Sequence, residues 1–218
     1  VPYTVAKMLA ESDNKDLGCH TGTISDAFLE LYKAGKLTNA HKEFDTGLSA
    51  WNLAMGSQEL YDWLDAEPQL FHPGDLDYIH SVERISKFSN VISINGGVQL
   101  DLMGQENAES TGTRQLSGVG GQMDFLEGAY RSKGGKGFIC INSSRVTKDG
   151  ERKSNILATI PGGSTISAPR TMIQYVATEY GIASLSGKTL RERAEAMASI
   201  AHPDFREELM KYAQENFK

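Results

Sequence analysis

The sequence has 218 residues, 39% hydrophobic and 23% charged, with a formal net charge of −6; such a chain can bury a substantial core and is not disordered by composition. No Lys/Arg-rich stretch is long enough to neutralise a run of phosphates, which argues against nucleic acid and for a small-molecule partner. The two cysteines, Cys19 and Cys140, lie far apart, with neither zinc-site spacing nor the density of a secreted disulfide scaffold, so a cytoplasmic setting is expected.

Along the chain, Val5, Met8 and Leu9 follow helical spacing, and Leu17 to His20 reads as a short buried strand. A turn is expected at Gly22, after which Ser25 can cap a helix through Ala27, Phe28, Leu31 and Tyr32 that stops at Gly35. The logic repeats with a strand over Leu48 to Ala54 and a helix capped by Ser57 and ended by Pro68. Val91 to Ile94 and Val98 to Leu102 read as strands, the second with two-residue alternation. A glycine-rich tract from Gly112 to Gly121 leads into a helix over about Gln122 to Ser132. Further strands are expected at Phe138 to Ile141, Ile156 to Ile160 and Tyr175 to Ala177, and helices after Thr189 and Pro203. The charged segment from Thr147 to Ser154 reads as an exposed loop.

This alternation predicts an α/β fold, an open mixed or parallel sheet flanked by helices, with ligands at the C-terminal ends of strands. Residues 1–218 read as one large domain or two small ones. No run of 18 apolar residues is present, and the N-terminus lacks the regions of a signal peptide. The chain opens without Met inside an amphipathic pattern, which suggests a piece of a longer protein.

The strongest local signal is Ser117-Gly118-Val119-Gly120-Gly121-Gln122, a glycine loop running straight into a helix. Glycines let backbone approach a ligand, and the free amides at a helix start favour an anion or a developing oxyanion. An ordinary tight turn is the competing reading. The loop is not a dinucleotide fingerprint, because Met123 holds the third glycine position. Gly181 to Thr189 imitates a phosphate-binding loop but has five residues between its glycines rather than four, and reads as scaffold. The five histidines show no metal-ligand spacing, so no metal is expected, and no Gly-x-Ser-x-Gly elbow anchors a hydrolase triad.

Six segments in order, Asp16 to Thr21, Glu109 to Gln115, Ser117 to Phe125, Ser132 to Lys136, Tyr175 to Ala183 and Ile200 to Arg206, resemble successive signatures of the acetyl-CoA hydrolase/transferase family, in its 4-hydroxybutyrate and butyryl CoA-transferase branch. The resemblance spans the chain and corresponds to the C-terminal half of such proteins. It implies a family I CoA-transferase-like (NagB/RpiA/CoA-transferase-like) domain. Acyl-CoA and a short carboxylic acid are the implied substrates, with no tightly bound cofactor. The implied partners are the N-terminal half of the same protein and further copies in a homo-oligomer; no membrane is implied.

In such enzymes a glutamate attacks the thioester, and the acyl-glutamyl anhydride then gives a glutamyl-CoA thioester that passes CoA to a second acid. The family pattern puts Gly118, Gly120, Gly121 and Gln122 at the oxyanion and CoA, with His20, Thr21 and Glu109 in support. Where the family writes His-Thr-Glu or His-Ser-Glu, this sequence writes His20-Thr21-Gly22. Gly22, at the position of the nucleophile, is expected at a strand's C-terminal end within reach of the glycine loop. A transferase with altered chemistry is the first reading. A non-catalytic CoA-binding or assembly subunit, or an acyl-CoA hydrolase, is the alternative.

Overall fold

The computed structural model describes residues 2–217 and divides into two compact units, Val1–Val91 with Glu127–Gly135, and Ile92–Leu126 with Lys136–Lys218. The first is a three-stranded parallel sheet wrapped by short helices. Helix α1 (Pro2–Glu11) leads to strand β1 (His20–Ile24), helix α2 (Asp26–Lys33), strand β2 (Ser49–Ala54) and helix α3 (Gln58–Ala66). A turn of 3₁₀ helix opens on Pro68, then come strand β3 (Phe71–Pro73) and helices α4 (Leu76–Ile79) and α5 (Val82–Lys87). The order is β1-β2-β3, with His20 opposite Ala50 and Ala50 opposite His72.

The expected cap at Ser57 forms, and Asp75 supplies another. Ser57 accepts from the Leu60 amide at 3.3 Å and Asp75 from the Tyr78 amide at 2.9 Å, each satisfying a first-turn donor. Ser25 occupies the N-cap of α2 without a side-chain bond. Asp26 instead binds Ser57, accepting from its hydroxyl at 2.6 Å and so tying the starts of α2 and α3. Gly35 ends α2 at φ +68°, a left-handed angle that a Cβ would strain. Ala6, Ile24, Leu29, Leu31, Leu60 and Trp63 form the core of this unit.

The second unit begins with strands β4 (Ile92–Gly96), β5 (Gln99–Asp101), β6 (Glu106–Asn107), β7 (Ser110–Thr111) and β8 (Arg114–Gln115). Helix α6 (Gln122–Arg131) starts in this unit, and its last turns count with the first unit. Strands β9 (Lys136–Cys140), β10 (Ser144–Val146), β11 (Arg152–Ser154), β12 (Ile156–Leu157), β13 (Tyr175–Thr178) and β14 (Gly181–Ser184) follow, with helices α7 (Leu190–Ser199) and α8 (Pro203–Asn216) at the end. The main sheet has the order β14-β13-β9-β4, parallel except for β14. A second sheet, β12-β5-β6, is mixed. Leu100, Leu126, Ile139, Ile156, Val176, Leu185 and Met197 are fully buried in one core. A reciprocal capping box joins Thr189 and Glu192 at the start of α7, and Pro203 opens α8.

Several expectations are corrected. The strand expected over Leu17 to His20 runs instead over His20–Ile24, so Gly22 lies inside β1 and not at a turn after it. The β-branched Thr21, Thr23 and Ile24 suit extended backbone, and β2 pairs with them. Leu17 bridges to Leu37, and the Cys19 amide donates to Asn39 Oδ1 at 2.7 Å. The segment from Thr147 to Ser154 is the tip and return strand of a hairpin, β10 pairing antiparallel with β11. Around β5 the alternation does not give one wet face: Gln99, Leu100 and Asp101 are all buried. The strand from Ile156 stops at Leu157. Gly181 to Ser184, in the phosphate-loop imitation, is the antiparallel edge strand β14, in line with a scaffold role.

Within α6, a Cβ added to Gly128 would stand 2.4 Å from Cγ2 of Ile85, which is 1% exposed and has nowhere to go. Gly128→Ala gains about 1 kcal/mol of helix propensity, but overpacking at a fixed site costs about 1–3 kcal/mol. We expect a net loss in urea unfolding; an unchanged or raised midpoint would show that Ile85 yields freely.

Candidate functional site

In the first unit the pleat of β1 points residues 20 and 22 to the same face of the sheet. Residue 22 falls between the pairs Thr21–Trp51 and Thr23–Leu53, so its neighbour on β2 is Asn52, whose side-chain amide donates to Gly74 O at 2.9 Å. Backbone at Gly22 is ordinary strand, outside the left-handed set of glycines. Thr21 turns its hydroxyl back to Thr23 O at 3.1 Å.

His20 is fixed on this face. Its Nε2 lies 2.8 Å from Ile79 O, and its ring packs 5.0 Å from Phe88 and 6.5 Å from Tyr78 between centroids. Burial, more than any neighbouring charge, pushes its pKa down to about 4, so the imidazole is neutral near pH 7.

Beside it lies a polar knot that periodicity and motif spacing gave no means of finding. Asp45 accepts from Tyr78 Oη at 2.9 Å and lies 2.8 Å from His72 Nδ1, and Arg84 stacks 3.8 Å over the Tyr78 ring. Burial opposes the charge on Asp45, yet the bonds from His72 and Tyr78, with Lys42 nearby, hold its carboxyl below the usual carboxylate range. The residues come from β3, α4, α5 and a loop. Only pairing of β1, β2 and β3 puts His20 and His72 at one level.

In the second unit the glycine loop follows the short β7–β8 hairpin rather than a strand of the parallel sheet. Residues 114–120 are exposed, and Gly120 has φ +59° with open space where a Cβ would go. The Ser117 amide donates to Glu109 O at 3.3 Å, and the loop runs directly into the N-terminus of α6, where backbone amides point along the helix axis toward it. Gln122, the first residue of α6, bonds through Nε2 to Glu106 Oε2 at 2.9 Å. Glu109, 6% exposed, accepts from the Ser167 hydroxyl at 3.1 Å.

Glu106, absent from the sequence-level reading, thus joins Glu109 and Gln122 in one cluster. A two-residue strand behind a tight turn leaves no periodic signal for burial. Glu127 pairs with Arg131 one turn along α6, a half-exposed ion pair that needs no ligand. Among the described residues, no group of three or more His, Cys, Asp or Glu is arranged to hold a metal.

The fold is one that CoA-transferases have. The chain is similar to RipA from Yersinia pestis, with a TM-score of 0.88, 37% identity and coverage of 98% of this chain and 47% of that one. It is also similar to a 4-hydroxybutyrate CoA-transferase from Porphyromonas gingivalis, with a TM-score of 0.82, 35% identity and coverage of 99% of this chain and 49% of that one. A butyryl-CoA:acetate CoA-transferase from Anaerostipes caccae is 45% identical over 214 residues, which is 98% of this chain and 48% of that protein.

The profile of the acetyl-CoA hydrolase/transferase C-terminal domain matches residues 56–213, and the chain belongs to this family. The matched stretch includes Glu106, Glu109 and the glycine loop and begins after β1. The chain spans about half the length of the curated relatives it matches, 48% of the Anaerostipes caccae protein. No helix among the described residues is long and apolar enough to cross a membrane.

Proposed function

We propose that the protein is an acyl-CoA:carboxylate CoA-transferase acting on a short-chain acid and its CoA thioester, with Gly22 at the place of the family's nucleophilic glutamate. The carrying observation is the glycine loop, which presents exposed backbone running directly into the start of α6, in a chain 45% identical to a butyryl-CoA:acetate CoA-transferase. Amides of Gly118, Gly120 and Gly121 are suited to a thioester oxygen as it gains negative charge. Gln122 fixes the start of the helix. Neutral His20 and Thr21 frame residue 22 without adding charge to it. Coenzyme A and its thioesters are substrates, and no resident cofactor is invoked. The proposed setting is cytoplasmic, as a homo-oligomer with the remaining half of the family's length as the natural partner.

The second reading is a CoA-binding or assembly subunit without turnover, and Gly22 is what favours it, since a hydrogen atom cannot form an anhydride. A hydrolase, in which water takes the thioester, is the third. Exchange of labelled acetate into acetyl-CoA separates the first from the second; loss of thioester without exchange marks the third.

The loop has its own test. In Gly120→Val a β-branched side chain meets φ +59° with no neighbour to clash with, so the substitution acts through backbone strain of about 1–2 kcal/mol. CoA affinity by calorimetry is expected to fall about tenfold or more, while stability falls only by that strain, because the loop is exposed. Unchanged affinity would remove the loop from the binding site.

A further inference from the structure

We propose that Glu106 is a pH-sensitive positioning residue: its carboxyl holds Gln122, and through Gln122 the first turn of α6 and the glycine loop before it. The functional consequence rests on the reading of that loop as the thioester site; the anchoring does not.

The backbone at Glu106 is fixed from both sides. Its amide donates to Ala168 O at 3.0 Å, and its carbonyl accepts from the Ser167 amide at 2.8 Å. The preceding turn closes on Asp101, whose Oδ1 accepts from the Met103 and Gln105 amides at 3.0 and 2.9 Å. The side chain is fully buried. One oxygen, Oε2, accepts from Gln122. The other, Oε1, has no hydrogen-bond partner and faces Gly97, where a Cβ would come within 2.9 Å of it and of an Ile141 methyl.

The groups around this carboxyl decide how it titrates. Gln122 from α6, Gly97 after β4, and Ser167 and Ala168 beside β6 carry no charge. Glu109 is the titratable group acting on it, and its sign is the same. Burial above all, with Glu109 adding, pushes the Glu106 pKa up to about 7, against the lowering effect of the Gln122 bond.

As a neutral acid Glu106 accepts from Gln122 at no charge penalty. Ionised, it gains one charge-assisted bond but leaves an anionic oxygen unpaired in apolar surroundings beside a second carboxylate. The desolvation cost exceeds that gain. Relief comes when the side chain turns out of its buried position toward water, and Gln122 then loses its partner. The sign follows from linkage: the folded pKa is raised, so this contribution is complete below about pH 4.5 and is lost as pH rises through about 7.

The test is amide hydrogen exchange across residues 117–125 of the chain between pH 5.5 and 8.5, corrected for intrinsic rates. Wild type is expected to lose protection there roughly tenfold or more, with a midpoint near 7. Glu106→Gln keeps the amide partner for Gln122 and cannot ionise, so its protection is expected to stay high and flat. Glu109→Gln, which removes the like charge, is expected to move the midpoint to lower pH. A wild-type profile without a step, or the same step retained in Glu106→Gln, overturns the proposal. No ligand enters this measurement, so such a failure leaves the Gly120→Val affinity test standing or falling separately.

Discussion

Gly22→Glu in the whole protein is expected to raise exchange between a short carboxylic acid and its CoA thioester on the order of 10³-fold or more, the scale on which covalent catalysis depends on its nucleophile. Backbone at residue 22 lies within a strand, outside the left-handed set, a conformation that any L-residue can adopt. The new side chain would leave the sheet on the His20 face beside Asn52. Its neighbour His20 is neutral near pH 7 because burial holds its pKa down to about 4, so it does not quench the carboxylate as a fixed cation. Borohydride trapping followed by peptide mass spectrometry should place the adduct on residue 22 in the variant and show none there in wild type.

Neither Asp26 nor Glu109 stands as a free carboxylate. Asp26 is engaged by Ser57, and its carboxyl is held below the usual range chiefly by that hydroxyl. Glu109 is buried against Ser167. Strong exchange in wild type with an adduct on Glu109 would show that the nucleophile has been misplaced. An inert Gly22→Glu that still binds CoA would mean that more than one residue has been lost.

The parts of the fold legible in the sequence were those with a local cause. Caps at Ser57 and Thr189, the stop at Gly35 and the glycine loop before α6 each follow from a few adjacent residues, and each stands where their chemistry puts it. The limits of β1 were not legible, because which of residues 17–24 pair with β2 depends on Asn39 and Lys42 holding Cys19 from a distant loop. The same holds for the candidate site. Residues 20–22 and 118–122 carry recognisable patterns. Glu106 and the Asp45–His72–Tyr78 knot acquire meaning only when a turn or sheet register brings them to their partners.

The second large effect concerns the turn that delivers Glu106. Arg193, on α7 and 8% exposed, donates from Nε to Met103 O at 2.9 Å, from Nη1 to Leu185 O at 2.8 Å and from Nη2 to Arg170 O at 2.7 Å. One planar guanidinium therefore serves three backbone carbonyls from three separate segments, a task that the fixed fork of arginine performs and lysine cannot. Burial lowers its pKa, yet an arginine remains charged at any pH where the protein folds. Arg193→Met fills the volume and leaves all three acceptors without their donor. With each buried unsatisfied group costing about 1–3 kcal/mol and water entering to relieve part of it, the expected loss is about 3–5 kcal/mol.

For a chain of this size that lowers Tm by about 10 °C or more. Arg193→Lys should fall between, since an ammonium reaches one or two of the carbonyls. Arg191→Ala, which removes an exposed i,i+4 pair with Glu195 on the same helix, should change stability by less than about 0.5 kcal/mol. Because Gly104 packs against Arg193, with a Cβ there only 2.8 Å from Nη2, the turn between β5 and β6 should loosen with it. Exchange protection at residues 103–107 is then expected to fall before global unfolding does. Equal melting of Arg193→Met and Arg191→Ala would show that the three carbonyls find water without cost, and that the turn is held by Asp101 alone.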